Sequence, residues 1–583
     1  MNHLGVTEVR NQKGILGDAM TYAEKPWLKS YKLGPYKLDH SLAPYPERPV
    51  FHALDEAAEK YPGQTAILFM ERAIKYRQLK TLADKMAAAL KNLGVSPGDR
   101  VCVFLPNCVE FIISDWAILK AGAAIVPTSV LRTDKGLLHE ASSSGSKVII
   151  CTEKSLERIL GVKEQHAFDH IILTSKEGFD AWDSSKTFPR GVHQFGQLLA
   201  ESDPEPPQVE VNSADDLCEV AFTGGATGVP KGVMVTHANR DSCVRQGLPW
   251  LMKPVLQGLL GKASVLIPVP LFHAYGHYLE QAAAYLGLRV ILLPDPRDTE
   301  LIVQHIKKYR PMLIPTVPTQ LMRIAQADIG RLNVLPMSGA APLPDEIAEA
   351  VKKKMGTPIS QGYGLTETSP LTHFNISAFS KITGFMAKEK MGIGVPSPDT
   401  KCTLLDPATG EEVPFGEPGE IVVRGPQIMK GYWPEPGSGL TEDGWLHTGD
   451  IATMDGDGYF HLCDRTKDMI NVSGMKVYTT LVDDVLYKHP AVLMAAAFGV
   501  PDPEIPGSER VMAAIQLKAG YEGTVTEDEI REFCRQNLAP YAVPKYVEFR
   551  ENMPLTVTEK VFKKVLREEA ISRMKAEAAI REA

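Results

Sequence analysis

From Val50 onward the apolar positions follow two alternating rhythms. Phe51, Leu54, Ala57 and Ala58 recur at helical spacing until Tyr61-Pro62-Gly63 stops the run, and residues 66–70 then read as a strand. Residues 79–93 form a second amphipathic helix ending at Gly94. Residues 101–105 are a wholly apolar strand, 111–120 a helix and 124–130 another strand, and the unit repeats over 135–144 and 147–151. Strands alternating with helices at this pitch predict βαβ units and a parallel sheet. Residues 1–45 are polar and proline-bearing; no regular structure is expected there, with Pro26-Trp27 as an apolar docking anchor. Residues 175–215 read as loop, including the connector Asp203-Pro-Glu-Pro-Pro207, and lead to a strand at 217–222. Further strands are expected at 289–293, 312–315 and 333–338.

Composition narrows the class. A chain of 583 residues is too long for one core, and at roughly 150 residues per domain it suggests about four folding units. Hydrophobic residues at 44% and charged residues at 23% match an ordinary globular protein. The net charge of -8, from 63 basic and 71 acidic residues, comes without a basic run, so no nucleic-acid partner is expected. Eight scattered cysteines with no C-x-x-C pair read as reduced packing thiols. The N-terminus lacks the apolar core of a signal peptide, which points to the cytoplasm. The most apolar region, 248–272, is broken by Lys253, Lys262 and prolines. No stretch reaches the ~18–20 residues needed to span a bilayer. Peripheral membrane contact and oligomeric state stay open.

The candidate chemistry centres on residues 222–237. Gly224, Gly225 and Gly228 can take positive φ and let backbone N–H groups converge on an anion, Thr223 and Thr227 add hydroxyls, and Lys231 adds a point charge. A Walker loop requires G-x-x-x-x-G-K-[ST] opening a helix. Here Pro230 precedes the lysine and Gly232 follows it, which excludes that geometry. A Gly/Thr-rich surface turn is the competing reading. His273 follows a buried strand, where a histidine is more often a satisfied core residue. Gly339-Ala340-Ala341-Pro342 is a small-residue turn that lets a flat ligand approach the backbone. In Gln361-Gly-Tyr-Gly-Leu-Thr-Glu367, Tyr363 offers an aromatic face, while Thr366 and Glu367 offer oxygens suited to Mg²⁺ and phosphate.

These motifs, followed by Thr448-Gly449-Asp450 and Asp464-Arg-Thr-Lys-Asp468, stand in the order seen in the AMP-forming adenylate superfamily of acyl-CoA synthetases, luciferases and adenylation domains, which the chain resembles from about Phe51 to Arg567. Pro26-Trp-Leu-Lys-Ser-Tyr31, the Thr-Gly-Gly opening at Thr223 and Val472-Ser-Gly-Met-Lys-Val-Tyr478 look most like the long-chain fatty acyl-CoA synthetase branch. The resemblance implies an α/β fold. Stacked α/β sheets and a small β-barrel would form a large N-terminal domain, residues 1–464, and a smaller mobile α+β cap would occupy 465–583. The cap helices fall at 480–488, 527–537 and 560–580.

By the same resemblance, Thr223, Gly224, Gly225, Ala226, Thr227, Gly228 and Lys231 hold the β- and γ-phosphates. Gly339, Ala340 and Ala341 with Tyr363 hold adenine, and Gly362, Gly364 and Leu365 complete the nucleotide site. Thr366 contacts the α-phosphate, Glu367 serves Mg²⁺, and Asp450 with Arg465 fixes the ribose. His273 lies beside the acyl carboxylate, Lys467 is the hinge, Lys560 is the catalytic lysine of the cap, and Ser473 and Gly474 face the coenzyme A thiol. ATP, Mg²⁺, coenzyme A and a small carboxylic acid are the implied cofactors and partners. The chain departs from the family pattern at Ala226, where a hydroxyl is usual, at Thr479-Thr-Leu481, where Pro-x-Glu is common, and at Glu559, where glycine usually precedes the lysine.

Overall fold

The computed structural model describes residues 21–224, 229–331, 334–383, 389–556 and 559–582. Two nine-stranded sheets dominate the described residues. In the first, strands Leu217–Gly224, Ala124–Pro127, Arg100–Phe104, Val148–Thr152, His170–Thr174 and Val192–Gln194 run parallel. Pro230–Thr236 pairs antiparallel with Leu217–Gly224, and the short strands Gly431–Tyr432 and Glu435–Pro436 continue the sheet beyond it. In the second, Thr65–Phe69, Arg289–Leu292, Ser264–Ile267, Leu313–Thr316, Leu335–Ser338 and Ser360–Tyr363 are parallel, with antiparallel strands at both ends.

Helix Val109–Lys120 is buried along its whole length, because it is apolar on most sides and two of its three charged groups are paired. Lys120 is held by Asp55 and Asp84. Asp115 meets His277 Nε2 at 3.0 Å from helix Ala274–Leu286, and His277 Nδ1 lies 3.1 Å from Glu219 of the first sheet. Glu219 in turn binds Arg240, whose other nitrogen donates to the Ser369 carbonyl at 3.0 Å.

The C-terminal part is a separate α+β domain. A three-stranded sheet, Val492–Pro501, Glu509–Leu517 and Tyr546–Phe549, packs against helices Thr479–Tyr487, Glu527–Asn537 and Lys563–Glu582. The last helix starts three residues later than its periodicity suggests, because Leu555 and Val561 bridge as a hairpin that holds Lys560 outside the helix.

Three other expectations change. The small β-barrel is instead a four-stranded antiparallel sheet, Lys401–Leu405, Gly419–Arg424, Leu446–Met454 and Phe460–Arg465. Its last strand meets Gly394 at Phe460, and among the described residues no ladder joins that strand to the first. Within 175–215, strand Val192–Gln194 and helix Phe195–Glu201 form, the latter pinned by buried Phe195 and Leu199. Residues 22–37 hold two 3-10 turns and a short hairpin, and Trp27, 1% exposed, packs edge-on to Phe460 and against Gly458. A two-strand ribbon and single turns leave no periodicity in sequence. The start of the strand expected at 333–338 lies outside the described residues, and the described strand is Leu335–Ser338.

Arg240 is fully buried, so its loss would leave Glu219 as an uncompensated charge. Arg240→Leu is expected to cost about 3–5 kcal/mol, read as a lower urea midpoint. An unchanged midpoint would show that the pair does not support the fold.

Candidate active site

The site residues collect where parallel strands end, because there backbone N–H groups and loops face a common crevice. Leu335–Ser338 delivers Gly339, whose Cβ, if present, would sit 3.1 Å from the Tyr275 ring; Ala340 follows at φ 69°. Ser360–Tyr363 delivers Gly364, where a Cβ would meet the Pro370 carbonyl at 1.8 Å, so only glycine lets the chain turn into the 3-10 helix Thr366–Thr368. Gly362 has room for a side chain, and Leu365 N–H is capped by the Thr368 hydroxyl at 2.9 Å. Ala341 is partly exposed beside them.

Asp450 joins two of the expected residues. The Tyr363 hydroxyl donates to Asp450 Oδ2 at 2.8 Å, and Arg465 Nε donates to Oδ1 at 2.9 Å, so both carboxylate oxygens are oriented. Strand register does this, since Asp450 and Arg465 are direct partners across the small sheet.

The glycine loop joins two antiparallel strands, with Thr223 paired to Lys231 and Gly224 to Pro230. Gly225, Ala226, Thr227 and Gly228 lie outside the described residues. Lys231 stands on a strand, as Pro230 and Gly232 require. Its ammonium lies 5.0 Å from the Tyr432 ring, and the Tyr432 hydroxyl donates to Glu367 Oε1 at 2.9 Å. Tyr432 therefore links Lys231 to the Glu367 carboxylate. Sequence reasoning missed it; the only signal was an aromatic residue after Gly431 in a segment without periodicity.

Beside this shelf lies a cavity of about 140 Å³ whose walls are largely apolar, among them Val130, Val269, Phe272, Tyr275 and Val317. His273 reaches it from the N-cap of helix Ala274–Leu286, where its Nδ1 accepts from Tyr275 N–H at 3.3 Å. Burial, and then the nearby Lys560 charge, push the His273 pKa down to about 4. The ring is neutral, and with Nδ1 used as an acceptor its proton sits on Nε2. Lys560 comes from the cap. Burial, then repulsion from Arg465, lower its pKa to about 8, with Asp450 opposing and Lys467 adding to the drop. His273, Asp450, Arg465 and Lys560 thus share one locale.

Other expected residues stand apart. Ser473 and Gly474, at φ 51° and 88°, form the tip of the cap hairpin Ile470–Val472/Met475–Val477, tied to Ser508 and Asn471, and do not line the cavity. Lys467 is exposed in the turn after Phe460–Arg465. At the departure from Pro-x-Glu, buried Thr479 bonds Asp464 through both its N–H and its hydroxyl, and its hydroxyl also accepts from Lys563 at 2.7 Å.

Small-residue turns at strand ends, an Asp450 carboxylate held on both oxygens and a largely apolar cavity lined by His273 form an arrangement in keeping with an enzyme that activates an acid. Comparison with known proteins agrees: residues 54–433 match the AMP-binding enzyme family and 481–560 the AMP-binding enzyme C-terminal domain. The chain belongs to the AMP-binding enzyme family. It is 34% identical over 576 residues to a long-chain-fatty-acid–CoA ligase of Bacillus subtilis (strain 168), covering 94% of this chain and 98% of that protein. It is also 34% identical over 518 residues to a feruloyl-CoA synthase of Amycolatopsis sp, covering 87% and 96%. Its fold is similar to that of an anthranilate CoA ligase in complex with anthranoyl-AMP (TM-score 0.79, 23% identity, 91% and 99% covered). ATP-bound MatB from Rhodopseudomonas palustris is similar too (TM-score 0.77, 24% identity, 90% and 99% covered).

Tyr432→Phe keeps the ring under Lys231 and removes the bond to Glu367. It is expected to lower kcat/KM for ATP by about tenfold, the size of one hydrogen bond to a charged group. Pyrophosphate release at subsaturating ATP measures it, and a parental value would exclude Tyr432 from the site.

Proposed function

We propose that the protein activates a medium- or long-chain fatty acid with ATP to an acyl-adenylate and pyrophosphate, then transfers the acyl group to coenzyme A, releasing AMP and acyl-CoA. The observation that carries this reading is that Lys560, next to the cavity-lining Glu559, feels the charges of Asp450 and Arg465 and in turn lowers the pKa of His273, which lines the apolar cavity. Full-length similarity to a long-chain-fatty-acid–CoA ligase favours a fatty acid over an aromatic one.

In the first half-reaction a carboxylate oxygen forms a bond to the α-phosphorus and pyrophosphate leaves. Negative charge gathers on the phosphoryl oxygens, and Lys560 stabilises it from a water-poor position. His273 Nε2–H orients the acid. Thr223 to Lys231 hold the β- and γ-phosphates, Thr366 the α-phosphate, and Asp450 with Arg465 the ribose. Glu367 and Thr366 present hard oxygens that fit magnesium, Glu367 being held by Tyr432; the ion would neutralise phosphate charge. In the second half-reaction the thiol sulfur bonds to the acyl carbon and AMP leaves.

We divide the chain at 464/465, with the cap turning about Lys467 to exchange Lys560 for Ser473 and Gly474. Thr466 N–H is anchored to the Gly449 carbonyl at 2.8 Å, and the turn that holds the exposed Lys467 is closed by Asp468 N–H on the Arg465 carbonyl at 3.0 Å, a bond that turning the cap about Lys467 would have to break. No helix among the described residues is long and apolar enough to cross a membrane. The cytoplasm suits a reaction that consumes ATP and coenzyme A in a protein with eight unpaired cysteines.

Three outcomes follow. Lys560→Ala should slow acyl-adenylate formation by roughly 10²–10³, about 3–4 kcal/mol, while sparing thioester formation from supplied acyl-adenylate; equal losses would make the lysine structural. Lys560 is charged below its pKa of about 8 and neutral above it. The kcat/KM for adenylation should therefore fall as pH rises through about 8, a limb absent from the thioester step. Pyrophosphate release over C2 to C18 and aromatic acids, with and without coenzyme A, tests the substrate. Affinity should climb by up to ~0.8 kcal/mol per methylene and then flatten, whereas a preference for benzoate over octanoate would point to an aryl-CoA ligase.

A further inference from the structure

Glu559 occupies a position that should not favour glutamate. Its φ of 57° lies in the left-handed region, and its side chain is buried at 7% exposure in the cavity wall. A β-carbon is strained there, and a lone carboxylate is costly to bury. One helix of the large domain answers both in part, pairing the Glu559 carbonyl and one of its two carboxylate oxygens. In Pro318–Gln326, residues Thr319, Met322 and Arg323 share a face at i, i+3, i+4 spacing. The Thr319 hydroxyl donates to the Glu559 carbonyl at 2.9 Å, and Arg323 Nη1 donates to Glu559 Oε1 at 2.7 Å. Met322, between them, packs into the cap cluster of Met494, Phe498, Met553 and Leu566.

Glu559 and Lys560 are tied to the strand residues beside them. Leu555 and Val561 bridge, Thr556 N–H donates to the Lys560 carbonyl at 2.7 Å, and Glu559 N–H donates to the Thr556 carbonyl at 2.9 Å. A force on Glu559 is therefore transmitted to Lys560. We propose that Glu559 is a positioning residue for Lys560: its ion pair with Arg323 and the Thr319 bond to its carbonyl latch the cap onto the large domain with Lys560 at the acyl cavity. This rests on the two-orientation reading above. Both partners belong to the large domain, so the latch stabilises only that orientation and biases the cap by its differential contact. When the cap turns away, Glu559 exchanges Arg323 for water and the latch no longer holds Lys560 in place.

The test uses the full chain and follows acyl-adenylate formation in single turnovers and thioester formation from supplied acyl-adenylate, with melts to check folding. Glu559→Gly relieves the backbone and should fold, and Arg323→Gln leaves the hairpin intact. Each should slow acyl-adenylate formation about tenfold, the loss expected for one charge-assisted hydrogen bond, with thioester formation unchanged or faster. The double variant should be no slower than either single, because both remove one interaction. Parental acyl-adenylate formation in the singles, equal losses in both steps, or additive losses in the double would each overturn the latch. A parent protein that forms no acyl-adenylate would instead sink the underlying reading, so the two failures are distinguishable.

Discussion

The buried Arg240–Glu219 pair is the constraint around which the large domain is assembled. A guanidinium with no exposed surface must have every strong partner nearby. Its two terminal nitrogens find them in Glu219, on the strand that feeds the glycine loop, and in the Ser369 carbonyl, just after the turn bearing Thr366 and Glu367. Glu219 continues the chain of contacts to His277, and His277 to Asp115 on the helix between the sheets. Two segments expected to grip the same phosphates are thereby tied to one charge, and neither can shift without exposing or orphaning the other.

The site itself is a meeting of oriented dipoles and charges at strand ends. Asp450 has both oxygens engaged before any ligand arrives, so its orientation costs nothing at the moment of binding. His273 is neutral because burial and the Lys560 charge forbid a second cation, and its cap bond leaves a single N–H for the cavity. Lys560 is poised in the opposite sense. It is held among Arg465 and Lys467 with only Asp450 to favour its charge, a tension that incoming phosphates would relieve.

The cap contact shows how a departure from pattern can be accommodated. Glycine before the lysine would take a positive φ without strain, whereas Glu559 takes it under strain and is answered by Arg323. The opposing helix face, Thr319, Met322 and Arg323, supplies a hydroxyl, an apolar contact and a cation in three successive positions on one side. Attraction is thus concentrated at the loop that must deliver the lysine.

The sequence by itself determined the alternation of strands and helices from Phe51 to Cys151, the cap helices to within three residues, and the non-helical setting of Lys231. Each rests on local chemistry: periodicity of 2 or 3.6, and the backbone limits of Pro230 and Gly232. It also located the motif residues, though their roles came through family resemblance. Short elements escaped it: the 22–37 ribbon, Val192–Gln194 and the helix after it are too brief for a period to register. The tertiary structure alone brought Gly394, far back in sequence, to Phe460 at the margin of the four-stranded sheet. It alone brought Tyr432 between Lys231 and Glu367, and Arg323 to Glu559, because each pair joins residues more than sixty positions apart whose proximity is set by packing and not by local propensity.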